Sequence, residues 1–112
     1  MPETYTDHPM LTERFDRAFL LATEHHRRQL RKGTTIPYVS HLLGVTSLVL
    51  EMGGSETEAI GALLHDAVED GGGRAMLERI RTEFGDVTSQ AVLEQSGHGA
   101  CVNSPRCSRR AP

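Results

Sequence analysis

The stretch Leu63-Leu64-His65-Asp66-Ala67-Val68-Glu69-Asp70, running into Gly71-Gly72-Gly73, decides how this chain is read. On a helix, residues four apart share a face. His65 therefore stacks under Glu69 and Asp66 under Asp70, so one helix end presents an imidazole and three carboxylates. A helix C-terminus carries the negative end of the macrodipole, where each carboxylate costs about 0.3–1 kcal/mol. The glycines stop the helix, and its last turn holds no Lys or Arg to offset that charge. A bound cation would remove the conflict. The competing reading is a solvated acidic end beside a buried histidine.

The totals bound the answer around this segment. A chain of 112 residues suits one small domain, with 38% apolar residues and 4% aromatics giving a modest core. A net charge of −3 argues against a general binder of nucleic acid or membrane surface. No apolar run reaches bilayer length. Met1-Pro2-Glu3-Thr4 does not open a basic-then-apolar leader, so no secretory signal is expected. The two cysteines, Cys101 and Cys107, lie near the end, and no disulfide framework is expected. The cytoplasm is the expected compartment.

Working outward, Ser55-Glu56-Thr57-Glu58 has the capping-box pattern and predicts the start of the helix that ends in the acidic segment. Ile60, Leu63, Leu64 and Ala67 are its core residues, and Gly61 and Ala62 are small enough for close helix packing. Upstream, the spacing predicts a helix over 12–31 capped by Thr12, with Leu11, Phe15, Ala18, Phe19, Ala22 and His26 as its buried stripe. Its end is basic: Arg27, Arg28, Arg31 and Lys32, which dipole compensation and a solvated face explain on their own. A turn over Gly33–Pro37 precedes a helix over 39–52. There His41, Val45, Leu48 and Met52 share a face with Leu42 and Val49 beside them, and Gly44 suggests a close helix neighbour. Downstream, a helix over 75–84 buries Met76 or Leu77, Ile80 and Phe84. Gly85 ends it, and Asp86 caps a fifth helix beginning at Val87 and holding Ala91 and Val92. No strand-like alternation stands out, so the expected class is all-α. Residues 1–10 read as a loose lead-in. Residues 95–112, rich in Gly, Ser, Pro and Arg, read as a disordered tail. A zinc site through His98, Cys101 and Cys107 lacks a fourth ligand and paired spacing.

Four of these stretches belong together: His26-Arg27-Arg28-Gln29-Leu30-Arg31-Lys32, Tyr38 to His41, His65 to Asp70, and Phe84-Gly85. In this order they resemble the H-x-x-Q-x-R-K, Y-x-x-H, H-D-x-V-E-D and Phe-Gly elements of HD-domain metal phosphohydrolases. Within that group they look like the guanosine polyphosphate pyrophosphohydrolases of the RelA/SpoT type. The resemblance covers about Leu11 to Leu93. It implies an α-helical bundle with one divalent ion, usually Mn2+, held by His41, His65 and Asp66. Imidazole with carboxylate suits manganese, iron or zinc better than magnesium. The resemblance further implies that Glu69 and Asp70 orient or deprotonate the attacking water and relay protons. Arg31 and Lys32 match residues that contact the nucleotide, where a guanidinium stacks on a base or forks onto phosphate. The implied activity is removal of the 3′ pyrophosphate from guanosine tetra- or pentaphosphate by a metal-activated water.

The chain departs from the group's pattern at three places. Arg28 stands where a small residue is common, and Leu42 where many relatives have Pro. More seriously, the group's fourth ligand is an Asp on a later helix. After Phe84 the chain has only Asp86 and Glu94 as carboxylates, and neither matches. The sequence therefore reads as a partial HD domain over 11–94, incomplete at its C-terminus. The alternative function is a truncated, non-catalytic HD scaffold that at most binds nucleotide or associates with itself through an exposed apolar face.

Overall fold

A computed structural model describes residues 4–69 and 73–96. Five helices follow one another: α1 (Glu13–His25), α2 (Val39–Glu51), α3 (Glu56–Ala67), α4 (Gly73–Phe84) and α5 (Asp86–Ser96). Among the described residues there is no strand; the one β-type feature is an isolated antiparallel bridge between Leu30 and Pro37. The all-α class expected from the periodicity is the class observed.

The helix that carries the deciding segment is the centre of the molecule. α3 packs against α1, α2 and α5, while α4 packs on α5. Its residues 59–64 are buried without a break, and Ile60, Leu63 and Leu64 are wholly so. A helix covered on nearly every side needs small residues where a neighbour comes close. Gly61 is that place: a Cβ there would lie 3.2 Å from the Ala91 carbonyl oxygen of α5. The Gln95 side chain closes the same contact by donating to the Glu58 carbonyl at 2.7 Å. The capping box forms as the sequence predicts, with Ser55 Oγ accepting from the Glu58 N–H and Glu58 accepting from the Ser55 N–H.

α1 begins at the expected cap, with Thr12 Oγ1 accepting from the Arg14 N–H. Ala18, Leu21 and Ala22 are buried, and Phe15 and Phe19 pack against the core from its edge. The helix stops at His25, six residues before the expected end at Arg31. His26 turns its ring inward, 2% exposed, and its Nδ1 pairs with Gln29 Oε1 at 2.7 Å. That contact folds the chain into a turn, and the Arg31 N–H donates to the Ile36 carbonyl instead of continuing the helix. Arg27, Arg28, Arg31 and Lys32 thus stand on the loop after α1 and not on a last helical turn. Gly33, at φ +74°, makes the reversal at the tip of this loop.

Two further expectations fail on α2. Its buried residues are Leu42 and Thr46, whereas Leu48 and Met52 are 62% and 86% exposed. Among the described residues nothing lies within 4 Å of a Cβ built on Gly44, so none of the five helices approaches there. Beyond α4, which starts at Gly73 and not at 75, Gly85 makes the turn at φ +94°. Ile80 and Phe84 are buried, with Met76 and Leu77 packed at the edge of the core. α5 carries on through Ser96. His98, Cys101 and Cys107, which do not make up a zinc site by their spacing, and the rest of 97–112 lie outside the described residues.

Candidate metal centre

The first turn of α2 lies beside the last turn of α3, and this seam brings three donor side chains together. His41 comes from α2, and His65 and Asp66 from α3. Successive helix residues point about 100° apart, so neighbours such as His65 and Asp66 can serve one point only when it lies on a seam between helices. One ligand atom from each of His41, His65 and Asp66 falls within 4.8 Å of the others. The Asp66 Oδ2 atom is the hub, 3.1 Å from His65 Nε2 and 3.6 Å from His41 Nε2. The two imidazole rings are 6.1 Å apart, centre to centre.

The hydrogen bonds around His65 are those of a metal-ready imidazole. Its Nδ1 is 2.7 Å from the Ala62 carbonyl oxygen. A carbonyl only accepts, so Nδ1 carries the proton and Nε2 is the atom left facing Asp66. Tying the remote nitrogen of a ligand histidine to a backbone carbonyl fixes both tautomer and ring orientation. Two imidazoles and a carboxylate also form a donor set suited to manganese, iron or zinc. The residues present therefore fit a divalent ion.

The electrostatics of the centre turn on the Asp66 carboxylate. Burial pulls the His65 pKa down, but the hydrogen bonds to Asp66 and the Ala62 carbonyl, with the charges of Asp66 and Glu69, outweigh it, and the net shift is upward. Burial likewise pushes Asp66 up, yet the hydrogen bonds from His65 and Tyr38 and the two nearby imidazoles bring it down to about 2. The carboxylate is thus kept charged and surrounded by groups that favour its charge.

Of the other residues singled out in the sequence, Glu69 is exposed on the π-helical turn just past α3. Asp70 lies outside the described residues. Arg31 and Lys32 are exposed on the loop after α1 and, with Thr34, Ile36, Tyr38 and His41, line an open cleft of about 450 Å³. Through His41 that cleft links the basic loop to the His41–His65–Asp66 cluster. Two residues escaped the sequence reading in any chemical role. Tyr38 donates its hydroxyl to Asp66 Oδ2 at 2.6 Å. His26 packs its ring 5.1 Å from that of Tyr38. The available signals were the spacing of three from Tyr38 to His41 and from His26 to Gln29, which place each pair on adjoining turns.

Comparison with known proteins agrees with this geometry. A family model described as HD domain matches residues 18–96. A probable GTP pyrophosphokinase of Mycobacterium leprae is 42% identical over 76 residues, which is 68% of this chain and 9% of that protein. A guanosine-3′,5′-bis(diphosphate) 3′-pyrophosphohydrolase of Aquifex aeolicus is 36% identical over 85 residues, 76% of this chain and 12% of that protein. The pyrophosphohydrolase MESH1 of Xenopus tropicalis is 33% identical over 103 residues, covering 80% of this chain and 56% of that protein. The chain thus spans about a tenth of the bacterial relatives and just over half of the animal one. With its helices, its His-Asp seam and the family match in agreement, the chain belongs to the HD-domain family.

Proposed function

We propose that this chain carries the metal centre and the basic lip of a hydrolase that removes the 3′ pyrophosphate from guanosine tetra- or pentaphosphate. One observation carries the reading. One cleft is lined by Arg31 and Lys32 together with His41 of the His41–His65–Asp66 cluster. A nucleotide with phosphates on both sides of its ribose offers a π-face and several charges. Arg31 stacks on the base or forks onto phosphate, and Lys32 adds a compact positive charge. His41, His65 and Asp66 would hold one divalent ion, with Mn2+ the metal we favour from the donor set. Such an ion supplies a Lewis acid for a phosphoryl oxygen and lowers the pKa of a nearby water. Glu69, and Asp70 after it, accept the proton of the attacking water. The water oxygen bonds to phosphorus, the bond from that phosphorus to the ribose 3′ oxygen breaks, and the 3′ oxygen takes a proton. Pyrophosphate and a nucleotide with a free 3′ hydroxyl result. The cytoplasm is the compartment this reading favours.

The test is Mn2+ binding together with pyrophosphate release from guanosine tetraphosphate. Asp66→Ala should weaken Mn2+ binding by at least about tenfold. Glu69→Ala should keep the metal and lose turnover by about 10²–10⁴-fold. Wild-type protein that binds no divalent metal at submillimolar concentration would contradict the reading.

A second reading follows from the ligand count. The described residues supply three ligands, and no counterpart of the group's later Asp is among them. Under it the chain binds metal and nucleotide, or pairs with another copy, without turning over. Metal-dependent pyrophosphate release by this polypeptide rules that reading out.

A further inference from the structure

We infer that Tyr38 is a positioning residue for the Asp66 carboxylate, held in place by the turn that His26 and Gln29 build; this rests on the metal-centre reading above. Three groups converge on Asp66 Oδ2, namely His65 Nε2 at 3.1 Å, His41 Nε2 at 3.6 Å and the Tyr38 hydroxyl at 2.6 Å. The first two are ligand candidates. The third is a neutral phenol, a donor toward a carboxylate and a poor competitor for a divalent ion. An aspartate side chain rotates about two bonds, and only some of its orientations put Oδ2 on the helix seam. A short hydrogen bond from a fixed phenol selects one of them.

The fixing of that phenol is visible in the chain that leads to it. Tyr38 sits at the start of α2, with helical backbone angles of φ −61° and ψ −29° and no side-chain cap of its own. Its N–H donates to the Gln29 carbonyl at 2.8 Å, next to the Leu30–Pro37 bridge. Its ring lies 5.1 Å from the His26 ring and 5.5 Å from the His41 ring. His26 is itself buried to 2% exposure, with Nδ1 on Gln29 Oε1 and, among the described residues, no hydrogen-bond partner for Nε2. A core built for packing alone would avoid an imidazole with an unmet nitrogen. Here the imidazole closes the turn through one nitrogen and supplies a flat wall for Tyr38. The chain of contact runs from the His26–Gln29 turn, through the Tyr38 ring, to the oxygen that faces both histidines.

Hydrogen-bond partners that orient ligands change metal affinity by about 10–100-fold when removed. The test is Mn2+ titration of the whole chain, read by the EPR signal of free Mn2+, for wild type and Tyr38→Phe. It is done well below the melting temperature of both. Phenylalanine keeps the ring and removes the hydroxyl. We expect the Mn2+ Kd to rise at least about tenfold. A purely structural tyrosine would lower the melting temperature and leave the Kd of the folded protein unchanged, and that outcome overturns the inference. Gln29→Met, which removes the acceptor of His26 Nδ1 and leaves Tyr38 intact, should weaken Mn2+ in the same direction; an unchanged Kd there removes the turn from the account. A second measurement needs no change at the site. The chain has two tyrosines and no tryptophan. In Tyr5→Phe the absorption of Tyr38 is read alone, and it should shift on addition of Zn2+, saturating with the metal. No shift counts against the inference. Wild type that binds no metal defeats the metal-centre reading itself, whereas wild type and Tyr38→Phe that bind equally well defeat only the role of Tyr38.

Discussion

At the scale of single residues, the Asp66 carboxylate sets the behaviour of the site with pH. His65 has its pKa raised above the ordinary 6.5 by hydrogen bonds and carboxylates that outweigh its burial. A group raised in the folded state adds stability that is full below its unfolded pKa and is lost as pH rises through the folded one. Asp66, brought from 3.8 to about 2, adds stability that is full above 3.8 and is lost as pH falls to about 2. The metal-free protein should therefore melt at a lower temperature as pH climbs from 6.5 through the raised pKa of His65. Asp66→Asn should flatten that slope. Mn2+ binding has the opposite sign, because the Nε2 proton must leave first. Below the His65 pKa, affinity should rise by about tenfold per pH unit. Melting curves and Mn2+ titrations over the same buffers test the two slopes together. The resemblance in the sequence pointed to His41, His65 and Asp66 as a set, and the fold brings one donor atom of each within 4.8 Å of the others. The part of Tyr38 was not legible there, because a hydroxyl reaching a carboxylate 28 residues away depends on how two helices sit against each other.

At the scale of elements, local rules worked wherever the chain's own neighbours decide the outcome. Ser55 and Glu58 close their capping box. Ser55→Ala should cost about 1 kcal/mol in a denaturant titration. Gly85 makes a turn that needs positive φ, as its place after Phe84 suggests. Local rules failed where burial of a polar ring overrode propensity. Arg, Gln and Leu are good helix formers, so nothing in residues 27–31 announces a stop. Yet His26 ends the helix by turning inward to meet Gln29. Gly44 failed differently: an interior glycine suggests a close neighbour, and its surroundings are open. Gly44→Ala should thus stabilise the protein by up to about 1 kcal/mol. Gly61→Ala should destabilise it, because a Cβ would meet the Ala91 carbonyl at 3.2 Å. Opposite signs for the same substitution on α2 and α3 can be read from two urea titrations.

At the scale of the whole molecule, α3 is the common partner, and its ends do different work. Its N-terminus is tied to α1, where Glu56 accepts from Thr12 and pairs with Arg14 at 3.7 Å. Arg14 continues to the Phe84 carbonyl at 3.2 Å and to the Thr88 hydroxyl, so one side chain joins α1, α3, α4 and α5. No periodicity in the sequence points to such a side chain, since it faces several helices at once. The C-terminus of α3 meets α2 where His41, His65 and Asp66 come together. A cation there joins two helices, so Mn2+ at about 100 times its Kd should add about 2.7 kcal/mol of stability. For a domain of this size that is a rise of about 10–20 °C in Tm, reversed by chelation. The most direct measurement is pulsed EPR of Mn2+ bound to the full chain, which detects coordinating nitrogen. The account predicts nitrogen couplings from two imidazoles, one of them lost in His41→Ala and the other in His65→Ala. Bound Mn2+ with no nitrogen coupling, or couplings that survive both substitutions, would contradict it.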